Sequence, residues 1–463
     1  MKMIRTRIAP SPTGFAHIGT AYYAIYNYAF AKQNNGTFIV RIEDTDRNRF
    51  VEGSEQVILN ALRWLHIPYD EGPDIGGPHS PYRQSERLPL YKKFAEELIE
   101  KKLAYYCFCT QERLDQIRKE MQERKETPRY DQLCLKLSID ESLKRVKAGE
   151  KHVIRMVIPE NEKISWNDLV RGKVEFDSRV IDHQVILKTD GFPTYHLAVV
   201  IDDHAMNITH VMRGEEWISS APKHILLYRY FEWELPEFAH MPLLRNTDKS
   251  KMSKRKNDVS IFSYKERGYL PEALVNYLSL MGWSHPQEKD LFTMDEYIKV
   301  FSITRMQKTG PVFDIQKLTW MNQQYIQRLS LTDLKNRLKD FFPYLKTEDA
   351  LLEELLPLLH ERMQTLKDFE ELAIHFFTEP VVTLRNETEN KIAIKLKTLF
   401  NDISNWNKND LLNCLREVLR EYSIKMPVLY YIFTGKEKGL PLPESLEILG
   451  KEKTLKRLSK FNI

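Results

Sequence analysis

Ala9-Pro10-Ser11-Pro12-Thr13-Gly14-Phe15-Ala16-His17-Ile18-Gly19-Thr20 is the stretch that decides how this 463-residue chain is read. Ahead of it, Met3-Ile4-Arg5-Thr6-Arg7-Ile8 alternates apolar and polar residues, the period of a strand. Behind it, Ala21 to Lys32 lacks Gly and Pro and is rich in Ala and Tyr, which predicts a helix. A strand, a Pro/Gly/Ser turn and a helix start form a setting for phosphate, because unpaired N–H groups and the positive helix end face an anion. No Gly-Lys-Ser/Thr follows, so the turn is not a Walker A loop. On this segment alone, a Pro-rich loop with an incidental His is an equal reading.

Gly36-Thr37-Phe38-Ile39-Val40-Arg41-Ile42 predicts a second, buried strand, which completes a βαβ unit and implies a parallel sheet. Glu43-Asp44-Thr45-Asp46 follows at its carboxyl end, where open α/β sheets bind ligands. This cluster is either a cation or amine site or a solvated helix cap. A helix is expected from Ser54 to about Leu65, then a Gly/Pro loop from Asp70 to Ser85, then a helix from Leu88 to about Lys101. From Ala104 to about Asp182 short strands and charged helices alternate irregularly, which predicts an insertion into the sheet. Its helix from Glu112 to Lys125 is almost wholly polar, so it is a solvated or an RNA-facing face. Val185-Ile186-Leu187 resumes strand character. The stretches Thr194 to Asp203, Ile208 to Trp217 and Ser220 to Phe231 predict a second βαβ-like half.

Hydrophobic residues make up 42% of the chain and charged residues 29%, enough for several cores with a polar surface. The net charge of +4 permits a nucleic-acid partner without requiring one. No presequence pattern and no apolar run long enough for a membrane span occur, so no membrane partner is expected. Four Cys are too few for a disulfide scaffold and fit a reducing cytosol. Arg245 to Lys256 is strongly basic, with six basic residues and one acid among twelve. From 331 to 434 there is no Gly, and Leu352, Leu355, Leu356, Leu359, Met363 and Leu366 recur at helical spacing. The C-terminal third is therefore helical.

Taken together, Arg7 to Gly14, His17-Ile18-Gly19-Thr20, Arg41 to Asp46, Tyr82-Arg83-Gln84-Ser85, Pro193 to His196, Arg213-Gly214-Glu215-Glu216-Trp217 and Lys251-Met252-Ser253-Lys254-Arg255 resemble the motifs of bacterial-type glutamyl-tRNA synthetases, in that family's order. These are class I aminoacyl-tRNA synthetases, and the resemblance runs over essentially the whole chain. One departure from the general class pattern is Thr20, which leaves no second imidazole for chemistry. The resemblance implies an α/β fold, namely a Rossmann-like parallel-sheet catalytic domain (1–85 and 185–244) with an α+β acceptor-stem-binding insertion (86–184). It implies a stem-contact region with the basic KMSKR loop (245–330) and an all-helical anticodon-binding region (331–463). A glutaminyl relative would carry β-barrel anticodon domains, and a pantothenate synthetase-like ligase would have no use for a helical tail.

The implied reaction is ATP-dependent attachment of glutamate to the 3′ end of glutamate tRNA through a glutamyl-adenylate. Misacylation of glutamine tRNA is the alternative form. The resemblance implies catalytic roles for His17, Lys251 and Lys254, and ATP binding by His17, Gly19, Glu216 and Lys254. It implies glutamate binding by Arg7, Ala9, Ser11, Glu43, Tyr195, Arg213 and Trp217. Arg7 and Arg213 are read as the cations for the side-chain carboxylate, because a guanidinium fork binds a carboxylate bidentately. Glu43 is read as the anion for the α-ammonium. Arg362 is the residue implied to read the anticodon. Mg²⁺ is expected to accompany ATP, carried by its phosphates. Cys107 and Cys109, on one face of a strand, could hold zinc with Cys134. Lys136 stands where some relatives carry His, leaving Tyr130 as the nearby substitute for a fourth ligand, and ordinary reduced cysteines are the other reading. The partners expected are glutamate tRNA, L-glutamate and ATP, for a cytoplasmic monomer.

Overall fold

The N-terminal strand is β1, Arg5–Ile8, and the helix behind the Pro/Gly turn is α1, Ile18–Gln33. The structure, a computed structural model, describes residues 2–252 and 259–461. The next strand, β2 (Thr37–Val40), pairs with β1 in parallel, Arg5 opposite Thr37 and Ile8 opposite Val40. There follow α2 (Ser54–Trp64), α3 (Leu88–Glu100), β3 (Ala104–Cys107), α4 (Gln111–Glu123), α5 (Ile139–Lys147), β4 (Val153–Met156), β5 (Lys163–Asp168), β6 (Gly172–Asp177) and β7 (Val185–Leu187). Then come α6 (Tyr195–Ala205), β8 (His210–Gly214), α7 (Ala221–Tyr230) and β9 (Glu237–Met241).

The alternation in β1 suggests one wet face, yet all four residues are buried. Its polar side chains are paired instead of solvated. Arg5 meets Glu71 at 2.8 Å, the Thr6 hydroxyl donates to the Asn27 carbonyl, and Arg7 donates to both oxygens of Asp203 at 3.0 Å. Burial of such groups is tolerated only because each finds a partner.

β8 and β9 run in parallel, with Arg213 opposite His240. Thr209 seats this pair beside β1, donating its N–H to the Arg5 carbonyl at 3.0 Å and accepting the Arg5 N–H at its hydroxyl. From this seam the chain leaves outward on both sides, through α1 to β2 and through α7 to β9. Such a divergence leaves a crevice at the carboxyl ends of the two central strands.

The inserted stretch differs from its linear reading. Val185–Leu187, the apparent return to the parallel sheet, pairs antiparallel with β4 in the small sheet β3-β4-β7. The hairpin β5–β6 joins the other sheet, Asp168 lying parallel to Phe238 of β9. Strand character alone does not say which sheet a strand enters. The polar helix α4 buries no residue.

The first compact unit is Met1–Ser263 with Val275–Asp314, and the second is Tyr264–Leu274 with Ile315–Ile463. Among the described residues from 331 on, there is no strand. The helix Asp349–Arg362 buries Leu352, Leu355, Leu356 and Leu359. The apolar repeat continues through Met363 and Leu366, both buried, but the helix stops first. The Asp368 carboxylate captures the Gln364 and Thr365 N–H groups, which ends it. Arg362 is thereby left as the exposed last residue of that helix. Among the described residues no helix is long and apolar enough to cross a membrane.

Candidate active site

A cavity of about 530 Å³ opens at the carboxyl ends of β1 and β8. Arg7, Ala9, Ser11, Glu43, Tyr195, Arg213 and Trp217 all line it, with Thr20 and Tyr23 of α1 and Lys188 beside them. A Cβ at Gly214 would displace the Glu216 carboxylate and the Tyr23 hydroxyl that pack against it.

His17 caps α1. Its Nδ1 accepts the Gly19 N–H at 2.9 Å, satisfying one of the unpaired donors of the first turn. That bond fixes the neutral tautomer with its proton on Nε2, so the ring can donate from the other side. The segment after the basic run is bonded to this turn. Ile18 N–H donates to the Val259 carbonyl at 2.8 Å, and Ile261 N–H to the Ala16 carbonyl at 3.0 Å. Lys251 closes a turn with Arg245, and its ammonium lies 3.6 Å from Glu216. Lys254 lies outside the described residues.

The two arginines in the cavity wall differ in kind. Arg7 is neutralised where it stands, since Asp203 takes both its Nε and Nη2. Asp203 also accepts from Arg41 at 2.8 Å, and Arg41 reaches Glu43 at 3.3 Å. Burial works to raise the Asp203 carboxyl, but the two guanidiniums outweigh it and hold it low. For Glu43 the balance is reversed, and burial pushes it up to about 7 despite Arg41 and Arg7.

Arg213 is 6% exposed and, among the described residues, has no carboxylate within 4.0 Å. Its acceptors are neutral. Nε donates to His240 Nε2 at 3.1 Å, Nη1 to the Tyr195 hydroxyl at 3.0 Å and to His224 Nδ1 at 3.2 Å. Among the described residues Nη2 has only the Trp217 carbonyl, at 3.5 Å. Burial keeps His224 far below its ordinary value and His196, bonded to it at 3.1 Å, at about 3. Burial also lowers His240. A buried guanidinium held only by neutral acceptors is a cation lacking its anion.

Comparison with known proteins agrees with this arrangement. A family model for the catalytic domain of class I tRNA synthetases (E and Q) matches residues 3–320, and one for an anticodon binding domain matches residues 333–462. A glutamate–tRNA ligase of Acinetobacter baumannii (strain AYE) is 48% identical over 98% of this chain and 92% of that protein. One from Fusobacterium nucleatum subsp. nucleatum is 45% identical over 100% of the chain and 98% of its own length. The chain belongs to the glutamate–tRNA ligase family. A crystal structure of a glutamate tRNA ligase from Elizabethkingia meningosepticum, in complex with its amino acid, superposes with a TM-score of 0.86 at 35% identity, covering 99% of both chains. This chain is therefore a class I synthetase with a helical C-terminal region.

Several residues of the ligase site carry no mark in the sequence. Asp203 stands 196 residues from the Arg7 it holds. His224 and His240 meet Arg213, and Asp168 meets His240, only through strand and helix neighbours. The doubled acid Asp202-Asp203 was the one available hint, since adjacent acids at a helix end are rarely both buried as they are here.

Apart from the cavity, Cys107, Cys109 and Cys134 bring their sulfurs within 4.8 Å of one another. The Tyr130 hydroxyl lies 3.4 Å from two of them, Cys107 and Cys109. Lys136, at the end of a short turn, is exposed.

Proposed function

We propose that this enzyme joins L-glutamate to the 3′ end of glutamate tRNA in two steps at the cavity between β1 and β8. In the first, the α-carboxylate of glutamate attacks the α-phosphate of ATP, pyrophosphate leaves, and glutamyl-adenylate forms. In the second, the terminal ribose hydroxyl attacks the mixed anhydride and AMP leaves. The observation that carries the reading is Arg213, a buried cation whose partners among the described residues are all neutral. A side-chain carboxylate supplies the missing anion, whereas the amide of glutamine would bring none. Arg7 offers its remaining Nη1 to the same carboxylate, its charge being already spent on Asp203.

Chemistry of this kind is mostly positioning and charge stabilisation. His17 donates from Nε2 to a phosphate oxygen, Gly19 lets the nucleotide approach the helix start, and Lys251 with Lys254 meets the charge on leaving pyrophosphate. Glu216 then holds Lys251 ready beside the nucleotide. Mg²⁺ arrives on the phosphates of ATP. The insertion over 86–184 takes the acceptor stem and the helical region over 331–463 the anticodon. The enzyme is read as a cytosolic monomer, its four sparse cysteines suiting a reducing compartment.

Glu43 sets the pH dependence. It must be ionised to hold the substrate ammonium, and it ionises at about 7. The KM for glutamate should therefore fall as pH rises between about 6 and 8, by up to about tenfold per unit on the acid side. The folded state binds this proton more tightly than the unfolded chain. Its contribution to stability is thus full below the ordinary Glu range and lost as pH rises through about 7, opposite to the affinity. Charging assays across pH on wild type and Glu43→Gln check this. A flat wild-type profile removes Glu43 from the ammonium site.

The choice of tRNA rests on Arg362, exposed at the end of its helix and near enough to Tyr430 to bias that hydroxyl's ionisation. The glutamate and glutamine anticodons end in C and G. Arg only donates, so it favours C, with its O2 and N3 acceptors, over the N1–H and N2–H₂ edge of G. One such contact gives about 5- to 150-fold discrimination. Wild type is expected to charge purified glutamate tRNA in preference to glutamine tRNA, and Arg362→Gln to narrow the ratio. Equal charging by wild type makes the enzyme the misacylating form.

Three thiols and a phenol at these distances form a donor set for one zinc, held by Cys107, Cys109, Cys134 and Tyr130 and serving to brace the insertion. Metal analysis should find about one zinc per chain, absent from Cys134→Ser, with a lower melting temperature in that variant. Zinc-free wild type of unchanged stability would leave these as ordinary buried cysteines.

A further inference from the structure

Behind Arg213 lies a pair of buried residues that the reaction does not use. His240 sits opposite Arg213 on the neighbouring strand β9. Its Nε2 accepts from Arg213 Nε at 3.1 Å, and its Nδ1 lies 2.6 Å from Asp168 Oδ2. Asp168, at the end of β5, is itself pinned. Its Oδ1 accepts the N–H groups of Val170 and Arg171, each at 3.0 Å, and shares the His240 N–H with Oδ2, at 3.1 and 3.2 Å. All three side chains are buried, His240 completely.

The hydrogen positions in this chain follow from the donors alone. Arg213 Nε can only donate, so His240 Nε2 must present its lone pair. The imidazole proton is then on Nδ1 and is donated to Asp168 Oδ2. Oδ1 alone holds the Val170 and Arg171 amides, and Oδ2 is the oxygen that meets the ring. We propose that Asp168 and His240 are positioning residues for amino-acid recognition, holding the Arg213 guanidinium so that its least engaged nitrogen, Nη2, is left for the substrate's side-chain carboxylate.

Interposing a neutral ring between the two charges has a chemical point. A carboxylate bonded directly to Arg213, as Asp203 is to Arg7, would compete with the substrate anion. At one remove Asp168 fixes orientation without taking the place of that anion. This inference rests on the reading of Arg213 as the carboxylate ligand.

Asp168→Asn is the direct test. The Asn Oδ1 keeps the backbone amides, so its NH₂ takes the place of Oδ2 and donates to His240 Nδ1. The ring proton then moves to Nε2 and faces the Arg213 N–H, donor against donor. In charging assays the KM for glutamate should rise about 10- to 100-fold, the worth of one hydrogen bond to a charged group, while the KM for ATP and kcat stay within about twofold of wild type. Discrimination against glutamine should narrow in parallel. A glutamate KM unchanged in Asp168→Asn, or both KM values and kcat shifted together as in general loosening, overturns the proposal. Should that variant not fold, His240→Gln and His240→Ala decide. The Gln oxygen can stand in for Nε2, so the Gln variant should have the lower glutamate KM, and equal values overturn the proposal. Arg213→Ala run alongside separates the two claims. If its glutamate KM is unchanged, the reading of Arg213 itself fails, whatever Asp168 does.

Discussion

Arg213→Gln is expected to lower kcat/KM for glutamate about 10²–10³-fold while leaving the KM for ATP near its wild-type value. The loss combines the charge and the donor that meet the side-chain carboxylate, and both act in the ground state and the transition state, so it should appear chiefly in KM. The fold should survive the change. Every partner of Arg213 is neutral, so its removal leaves no carboxylate stranded within 4.0 Å among the described residues. Arg7 differs, because removing it strips Asp203 of a bidentate partner at 3.0 Å and breaks a buried pair, a change of stability before it is one of affinity. Charging assays with glutamate and glutamine, with thermal melts of each variant, check this. Wild-type glutamate affinity in a folded Arg213→Gln would remove the observation on which the functional reading stands.

The second large effect is at His17. His17→Ala is expected to slow glutamate activation about 10²–10³-fold, as loss of a donor to developing phosphate charge does. It should also cost about 1 kcal/mol of stability, because the imidazole caps α1 through Nδ1. His17→Asn separates the two roles. The Asn oxygen can accept the Gly19 N–H where Nδ1 did, but nothing then stands at Nε2. That variant should melt like wild type and be as slow as His17→Ala in ATP–pyrophosphate exchange and in charging. Recovery of rate with the cap would make His17 a structural residue only.

These two positions also show what a linear reading reaches. His17 announces itself, because a strand, a Pro/Gly turn and a helix start adjoin in the chain and the capping bond spans two residues. The helical third was equally legible from Leu352, Leu355, Leu356 and Leu359, whose spacing is set by local geometry. Where the helix ends was not, since Asp368 takes the N–H groups of residues behind it. The alternation of β1 gave the strand but not the burial of its arginines, because nothing in six residues says that Glu71 and Asp203 will pair them. The strand Val185–Leu187 was visible and its sheet was not. For Arg213 the cavity was legible from its motif, whereas Asp168 and His240 become neighbours of it only once β5, β9 and β8 lie side by side.

The sharing of Asp203 between Arg7 and Arg41 bears on any effort to retarget this pocket to another amino acid. One carboxylate there fastens two strands to the end of a helix, so the β1 side of the pocket is made of the same bonds that hold the domain together. Changes at Arg7, Arg41 and Asp203 will be strongly epistatic, each tolerable only with the others altered to match. On the β8 side the bonds to Arg213 come from neutral groups, so no buried ion pair is broken there. A designer seeking a new side-chain specificity would therefore leave the first side alone and vary Arg213 with its supports, Tyr195, His224 and His240, as one cassette.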